Sequence, residues 1–535
     1  QSKFRHFAAE VGFCFTIAMT QFLAEFLISG FAIVLPKLTA AGDPLGAGSL
    51  SSFWPATLLS LIMSATLLVF ARLSDMHGGY PYFMFGVFWL AIWTLIPGFS
   101  KSVVVLDIAR AMQGLAIAAF TPSTFAMVGS IYSEGPRRNF VLGLYGAMAP
   151  LGFFAGLLAG GGLDVEHAQW YNWVASILAF VVAVIAYLTV PADRTNRQKL
   201  DLKMDWIGAV LITSGLILLA YALAVEPYAG QMQGGKAGFG HAVVYGPFVS
   251  GCLCLVTAVY IEGWFAKCPL LPFDFFKPKS VKGFCFACLC FYACYGAWLY
   301  NSTDYFKSSA ATGREHEIGG LELALWYTPT AIGGILFCVI SGALLHIVPI
   351  KALLLLSGAA WIGAPLVLAL CPTPLNYWST VLPSTVCATL GIDLTFTVSI
   401  VFLSSVQPLR YQALAGAVCS ILVNLAMSFG LPISEIVSQR ADGLAVDLQH
   451  GLSNWKYKTT FIYAAASAGL GFIICLVFVN ISRSVVSESV VEEDNSDGMS
   501  SRVSTLVEEV AKGQQPAPHN GTGKEALMYS SHEAV

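Results

Sequence analysis

Long apolar segments recur along the whole sequence, and they limit its possible folds more than any other feature. A membrane-spanning helix needs about 20 apolar residues, because a helix rises 1.5 Å per residue and the hydrocarbon layer is about 30 Å thick. A transmembrane barrel would instead alternate polar and apolar residues, and no such alternation is present. The sequence predicts fourteen spans near residues 11–35, 49–71, 80–99, 103–130, 138–160, 170–190, 205–226, 243–265, 281–303, 320–345, 350–371, 377–402, 411–437 and 459–481.

The composition also indicates a membrane protein. Of 535 residues, 56% are apolar and 11% are charged, whereas soluble domains carry about 25% charged residues. The net charge of -3 suggests neither nucleic acid nor an acidic substrate. Most cysteines lie inside apolar segments, which favours reduced thiols over disulfides. We expect an all-α membrane protein with no cofactor, no metal site and no nucleic-acid partner.

Two polar connectors, 191–204 and 266–280, bracket a pair of spans and leave six spans on each side. Basic residues are about twice as frequent in the loops on one side, which places both termini in the cytoplasm. No cleavable signal peptide is visible, and because the chain begins at Gln1 without a methionine, we expect a preceding segment in the full protein. The predicted parts are a cytoplasmic tail (1–10), a six-helix bundle (11–190), a linker with two extra helices (191–280), a second six-helix bundle (281–482) and a disordered cytoplasmic tail (483–535).

Ionisable side chains within spans need a reason, since each costs about 2.5–3.5 kcal/mol to insert. Gln21 and Glu25 share one face of the first span, and Arg110 and Gln113 share a face of the fourth. Glu25 lies roughly 15 Å and Arg110 roughly 12 Å below the same membrane surface, counted at 1.5 Å per residue. We infer from these depths that Glu25 and Arg110 face one another, directly or through water.

Two roles are open for such a pair: coupling to protons or substrate, and a static salt bridge that orders the bundle. Two further polar residues are also candidates for proton or substrate binding. Asp393 lies in the twelfth span, where its alternative is snorkelling towards the inner interface. Asn424 lies in the thirteenth, where its alternative is an interhelical hydrogen bond.

The fifth span combines small residues with a proline. Gly143, Gly146, Pro150, Gly152 and Gly156 all lie in this one helix. Small residues let helices approach closely, and a proline removes one backbone hydrogen bond and bends the helix. These residues are candidates for a moving interface, and ordinary tight packing is the alternative.

The segment between the second and third spans resembles a known signature. Asp75 and Gly78 match the Gly-x-x-x-Asp-x-x-Gly-Arg-Arg-like run of the major facilitator superfamily. Ala71, Gly79 and Tyr80 depart from it. The resemblance implies that Asp75 caps a neighbouring helix and stabilises the outward-facing state.

Other segments resemble motifs of the same family. Arg110, Gln113 and Gly114 match its Arg-x-x-Gln-Gly motif, whose arginine is implicated in proton transfer. The fifth span is similar to the antiporter motif, from which Ala149 and Phe153 depart.

The segments 204–208 and 269–272 resemble features beside the extra helices of fourteen-span drug:proton antiporters. Over about 11–482 the chain is most similar to the fungal branch with relatives linked to ammonium, boron or aminotriazole resistance. The run 391–393 is typical of that branch, whereas Leu27 stands where many drug antiporters carry a first-span aspartate.

These features predict a secondary active transporter that works by alternating access. Our main hypothesis is proton-coupled export of a small organic compound by a monomer in the plasma membrane, with the vacuolar membrane as the alternative. The first rival is transport of a small solute such as ammonium or borate. The second is a transport-inactive receptor that signals through its tail. A wide, aromatic-lined cavity would favour organic compounds, and a tight cavity with few aromatics would favour the small solute.

Overall fold

A computed structural model describes residues 6–40, 54–100, 102–132, 136–191, 203–229, 238–266, 268–313, 318, 320–344, 348–372, 374–407, 412–447 and 455–479. The tail predicted at 483–535 lies outside them. Helices account for the regular structure of the described residues, and the predicted all-α fold with fourteen helices is confirmed. The helices are α1 (Phe7–Ala40), α2 (Trp54–His77), α3 (Gly79–Leu95), α4 (Val103–Ile131), α5 (Pro136–Gly161), α6 (Trp170–Thr189), α7 (Trp206–Val225), α8 (Ala242–Trp264), α9 (Val281–Lys307), α10a (Gly320–Trp326), α10b (Thr328–Leu344), α11 (Ile350–Leu370), α12 (Leu382–Val406), α13 (Gln412–Asp447) and α14 (Trp455–Phe478).

The tenth helix is interrupted, unlike the other thirteen, which are each long and apolar enough to cross a membrane. Its two segments are separated at Tyr327, two residues before Pro329. Proline lacks an N–H and disfavours helical geometry in the preceding residue, so the backbone hydrogen bonds break here. The hydroxyl of Tyr327 lies 2.6 Å from Ser302 Oγ and 3.1 Å from Thr303 Oγ1 of α9, which fixes the break against the neighbouring helix.

The helices form two groups of six around separate apolar cores. In the first bundle (α1–α6), α1 packs on α5 and α6, α2 on α4, and α3 on α4 and α6. In the second bundle (α9–α14), α9 packs on α13 and α14, and α11 on α12 and α14. The bundles meet where α2 contacts α13 and where α5 contacts α10a and α10b.

The extra helices α7 and α8 pack on each other, and α7 also contacts α2 and α13. Asp205 caps α7, because its Oδ1 accepts the N–H of Gly208 at 2.9 Å. At the end of α8, the carboxylate of Glu262 accepts the N–H groups of Leu270 at 3.1 Å and Leu271 at 3.0 Å. Both segments that flank the extra helices are thus fixed by carboxylate–backbone hydrogen bonds.

Candidate functional site

Glu25 lies half-buried in the middle of α1. Gln21, one turn earlier, donates from Nε2 to Glu25 Oε1 at 3.2 Å. The carboxylate also interacts electrostatically with Tyr145 of α5 and with Tyr295 of α9. Glu25 therefore lies between helices of both bundles, with Gln21 orienting it.

Arg110 of α4 is 2% exposed, and its guanidinium binds backbone carbonyls. Its Nε donates to the carbonyl of Pro55 at 3.1 Å, and its Nη1 to that of Leu27 at 3.0 Å. Nη1 also donates to Gln113 Oε1 at 3.0 Å, and the ring of Phe31 lies 4.0 Å from Cζ. The side chain thereby holds α1, α2 and α4 together.

The predicted pairing of Glu25 with Arg110 is wrong. Both belong to the described residues, and each hydrogen-bonds to other partners. A helix with 3.6 residues per turn directs Phe31 about 120° away from Glu25. Since the guanidinium lies against Phe31, the carboxylate points in a different direction.

Asp393 lies half-buried in α12, where the bundles meet. A Cβ added at Gly334 of α10b would be 3.7 Å from Asp393 Oδ2 and 2.5 Å from the Cβ of Pro150 in α5. Tyr292 of α9 interacts electrostatically with Asp393. Asp393 is therefore close to the first bundle although its helix belongs to the second.

Tyr295 links the two acids. Its side chain interacts electrostatically with Glu25 of the first bundle and with Asp393 of the second. We call Glu25, Tyr295 and Asp393 the two-carboxylate site. Sequence reasoning missed Tyr295, because a tyrosine in an apolar span is ordinarily part of the packing.

Aromatic rings form the second-bundle wall beside this site. Tyr295 stacks on Trp298 with centroids 6.2 Å apart and meets Trp361 edge-on at 5.6 Å. Trp298 Nε1 donates to Ser384 Oγ, and Trp361 Nε1 donates to Thr395 Oγ1, both at 2.9 Å. These hydrogen bonds fix the two buried indoles, on which the partly exposed Tyr295 packs.

Asn424 lies deep in α13, at 7% exposure. Its Nδ2 donates to the carbonyl of Ser420 in the same helix at 2.9 Å. Among the described residues this hydrogen bond lies within one helix, and it does not join Asn424 to the two-carboxylate site.

The small residues of α5 divide into two sets. Cβ atoms added at Gly152 and Gly156 would collide with α1, at the carbonyls of Phe22 and Phe26. Gly143 and Gly146 differ, because no heavy atom of the described chain lies within 4 Å of an added Cβ. Close packing therefore explains Gly152 and Gly156, while Gly143 and Gly146 line open space.

The sequence from residue 17 to residue 431 matches the family model described as Major Facilitator Superfamily. This match covers more than half of the chain. The chain belongs to the major facilitator superfamily. The suspected family is thus confirmed, and the protein is a transmembrane transporter and not an enzyme.

Fungal transporters of this superfamily are similar along most of the chain. The low affinity ammonium transporter of Saccharomyces cerevisiae is 29% identical over 464 residues, which cover 84% of this chain and 85% of the relative. The efflux pump terJ of Aspergillus terreus is 28% identical over 482 residues, 88% of each chain. The aminotriazole resistance protein of Saccharomyces cerevisiae is 27% identical and covers 89% of this chain and 84% of the relative.

Solved superfamily structures support the fold. A peptide transporter POT in complex with sulfate has a TM-score of 0.61 at 16% identity, covering 89% of this chain and 95% of that one. The nucleoside transporter NupG has a TM-score of 0.56 at 11% identity, covering 88% and 100%. At such identities the likeness concerns the architecture alone.

The superfamily signature segment is not a loop in this protein. Helix α2 continues through Asp75 to His77, and α3 begins at Gly79. The single connecting residue, Gly78, has a φ of 97°, which favours glycine. A Cβ at Gly79 would lie 2.6 Å from the carbonyl of Ser123 in α4, so the departure from arginine allows the two helices to touch.

An apolar groove of about 680 Å³ runs between the first halves of α1 and α5 in this superfamily member. At one end, Tyr132 donates to Glu10 Oε1 at 3.1 Å. Cys14 and Ala18 line the groove and precede Glu25 by about three and two helical turns, so they share its face of α1. The groove follows the face of α1 that carries Glu25.

Sequence reasoning missed two acids that lie near the predicted outer ends of their spans. Asp107 lies half-buried in α4, one turn before Arg110. Glu226 follows α7 and is 0% exposed. Both are carboxylates inside apolar segments, and this signal was available from the sequence.

Proposed function

We propose that this transporter exports small organic compounds in exchange for protons, and that Glu25 and Asp393 carry the proton and contact the substrate. The supporting observation is the two-carboxylate site, where Tyr295 interacts electrostatically with an acid from each bundle. Bundles that rock about a central site change the hydration of such groups. Because hydration and nearby charge decide whether a carboxylate is ionised, rocking can load and release a proton.

The aromatic wall supports an organic substrate. Tyr295 presents part of its ring next to the carboxylates and packs on the buried Trp298 and Trp361. The chain's relatives include the efflux pump terJ and the aminotriazole resistance protein. The groove along α1 is the proposed cytoplasmic entrance to Glu25. We place the transporter in the plasma membrane with both termini in the cytoplasm.

Substrate-dependent proton movement in proteoliposomes tests this function. Organic toxins such as aminotriazole are added under an imposed pH gradient, and internal pH is followed with a fluorescent dye. Glu25→Gln and Asp393→Asn should each lower coupled proton flux by about tenfold or more, as expected when about 1.4 kcal/mol of barrier lowering is lost.

Glu166→Gln is the control, since it removes an exposed carboxylate outside both the two-carboxylate site and the groove along α1. It should retain wild-type coupling. Full proton-coupled flux in both Glu25→Gln and Asp393→Asn would refute the assignment.

A second candidate is transport of a small polar solute such as ammonium or borate. A cavity of about 50 Å³ between the bundles is lined by the hydroxyl-bearing Thr57, Ser60 and Ser428, and one relative is an ammonium transporter. The same proteoliposomes distinguish the two functions. Flux of ammonium or borate, with no response to any organic compound, would favour the second.

A further inference from the structure

The first half of α7 is bonded to the first bundle. Arg72 of α2 donates through Nε and Nη2 to the carbonyl of Lys203, just before α7, at 3.3 Å each. Farther along, Thr213 of α7 donates from Oγ1 to the carbonyl of Ala65 in α2 at 3.1 Å. These contacts tie α7 to α2.

The other end of α7 is bonded to the second bundle. The helix is followed by a short turn, Glu226–Tyr228. Arg440 of α13 lies with Nη2 2.5 Å from Oε1 of Glu226, whose side chain is 0% exposed while that of Arg440 is 56% exposed. The hydroxyl of Tyr228 donates to Glu435 Oε1, also in α13, at 3.0 Å.

Tyr228 marks the junction of the bundles. It forms an apolar cluster with Ala224, and Trp54 of α2 and Tyr300 of α9 pack against this cluster. Trp54 also meets Tyr221 of α7 edge-on, with centroids 6.0 Å apart. Residues from both bundles therefore contact the end of α7, at the predicted outer face.

We propose that Glu226 and Arg440, supported by Tyr228 and Glu435, form an interbundle latch that keeps the predicted outer face closed. A helix of 20 residues is about 30 Å long, and α7 has its two ends bound to different bundles. Opening the outer face moves α13 away from α2, so it must break the contact between Glu226 and Arg440. A buried carboxylate is strongly destabilised without its partner, so the intact pair resists this opening.

The latch is independent of the substrate and of proton coupling, so it is tested by accessibility rather than transport. Thr57 of α2 lines the small cavity between the bundles and is 4% exposed. The reporter variant Thr57→Cys is labelled in intact cells with a membrane-impermeant maleimide, and the same chain without this substitution gives the background from native cysteines. Glu226→Gln and Arg440→Gln should each raise the labelling rate by about five- to a hundredfold, the range of typical coupling free energies.

Combining Glu226→Gln with Arg440→Gln should add little to either alone, because both remove the same interaction. Arg440→Lys keeps the positive charge, so the Thr57→Cys reporter should be labelled at about the wild-type rate. Lys456→Gln removes another cation from the same predicted face and should also leave labelling unchanged.

Wild-type labelling in both Glu226→Gln and Arg440→Gln would overturn the latch, as would a double variant whose increase is the full product of the two. If Glu226→Gln does not fold, Arg440→Gln is compared with Tyr228→Phe. The latter loses the hydrogen bond to Glu435 but keeps the ion pair of Glu226 with Arg440, so it should show a smaller increase. Unchanged labelling in that pair would likewise reject the proposal.

Discussion

At Arg110, a buried guanidinium is held by backbone carbonyls of two other helices and by Gln113 of its own helix. Hydrogen bonds that involve a charged group stabilise more than neutral ones. The carbonyl of Leu27 lies two residues after Glu25 along α1, so Arg110 fixes the helix next to the two-carboxylate site. This arrangement supports a positioning role for Arg110.

Arg110→Ala should lower the free energy of unfolding by about 3 kcal/mol, because it removes the charge-assisted hydrogen bonds that join α4 to the carbonyls of Leu27 and Pro55 in an apolar interior. Arg110→Lys should lose less, since an ammonium can still donate to carbonyls. Thermal unfolding of the detergent-solubilised protein measures both. If Arg110→Ala were as stable as the wild type, the carbonyl contacts would not contribute to stability.

Among the helices, α5 packs against two neighbours, α1 and α10b, with different faces. Gly152 and Gly156 let α5 approach α1, and Ser29 of α1 donates to the carbonyl of Phe153 at 2.7 Å. Pro150 instead lies against Gly334 of α10b in the other bundle. Helix α5 therefore packs tightly within its own bundle and also forms part of the interface between the bundles.

Gly156→Ala should lower the free energy of unfolding by about 1–3 kcal/mol, because the new methyl group overpacks against Ser29 and Phe26. Gly146→Ala is the matched control in the same helix, where no described atom lies within 4 Å of the new Cβ. It should be neutral or stabilising by about 0.5–1 kcal/mol, since alanine favours the helix. Equal effects of both substitutions in thermal unfolding would contradict this division of α5.

For the whole molecule, contact between the bundles is close where α5 ends and α10a begins. A Cβ at Gly161 would collide with the carbonyl of Gly320. Lys37 of α1 lies beside this contact, where Nζ donates to the carbonyls of Gly160 at 2.8 Å and Gly161 at 3.2 Å. Burial lowers the pKa of Lys37, Asp164 opposes this shift and Lys307 adds to it.

Gly320→Leu should push the two bundles apart at this contact, because its side chain would collide with Lys37 and the carbonyl of Gly161. We expect labelling of Thr57→Cys from outside to rise by about tenfold, equivalent to about 1.4 kcal/mol in the opening equilibrium. Gly469→Leu on α14 adds the same side chain where no described atom lies within 4 Å, and it should leave labelling unchanged. Identical labelling in the two variants would show that this contact does not hold the bundles together.

The membrane class, the helix count and the superfamily could all be predicted from the order of the amino acids. Each span must satisfy its own backbone hydrogen bonds in hydrocarbon, so the composition of about 20 consecutive residues is enough to predict a helix. The spacing of Gln21 and Glu25 likewise implied their contact, since residues four apart adjoin on any helix. The tenth span was predicted as one helix, and the break at Tyr327 follows from Pro329.

Which polar groups meet depends on how the helices pack against one another. Arg110 binds main-chain carbonyls, which every residue carries and no sequence pattern reveals. Asp393 and Pro150 both lie near Gly334, Tyr295 interacts with two acids, and Glu226 meets Arg440 because particular helix faces are turned towards each other. In a chain whose spans are apolar on most sides, periodicity does not select that rotation, and packing between helices does.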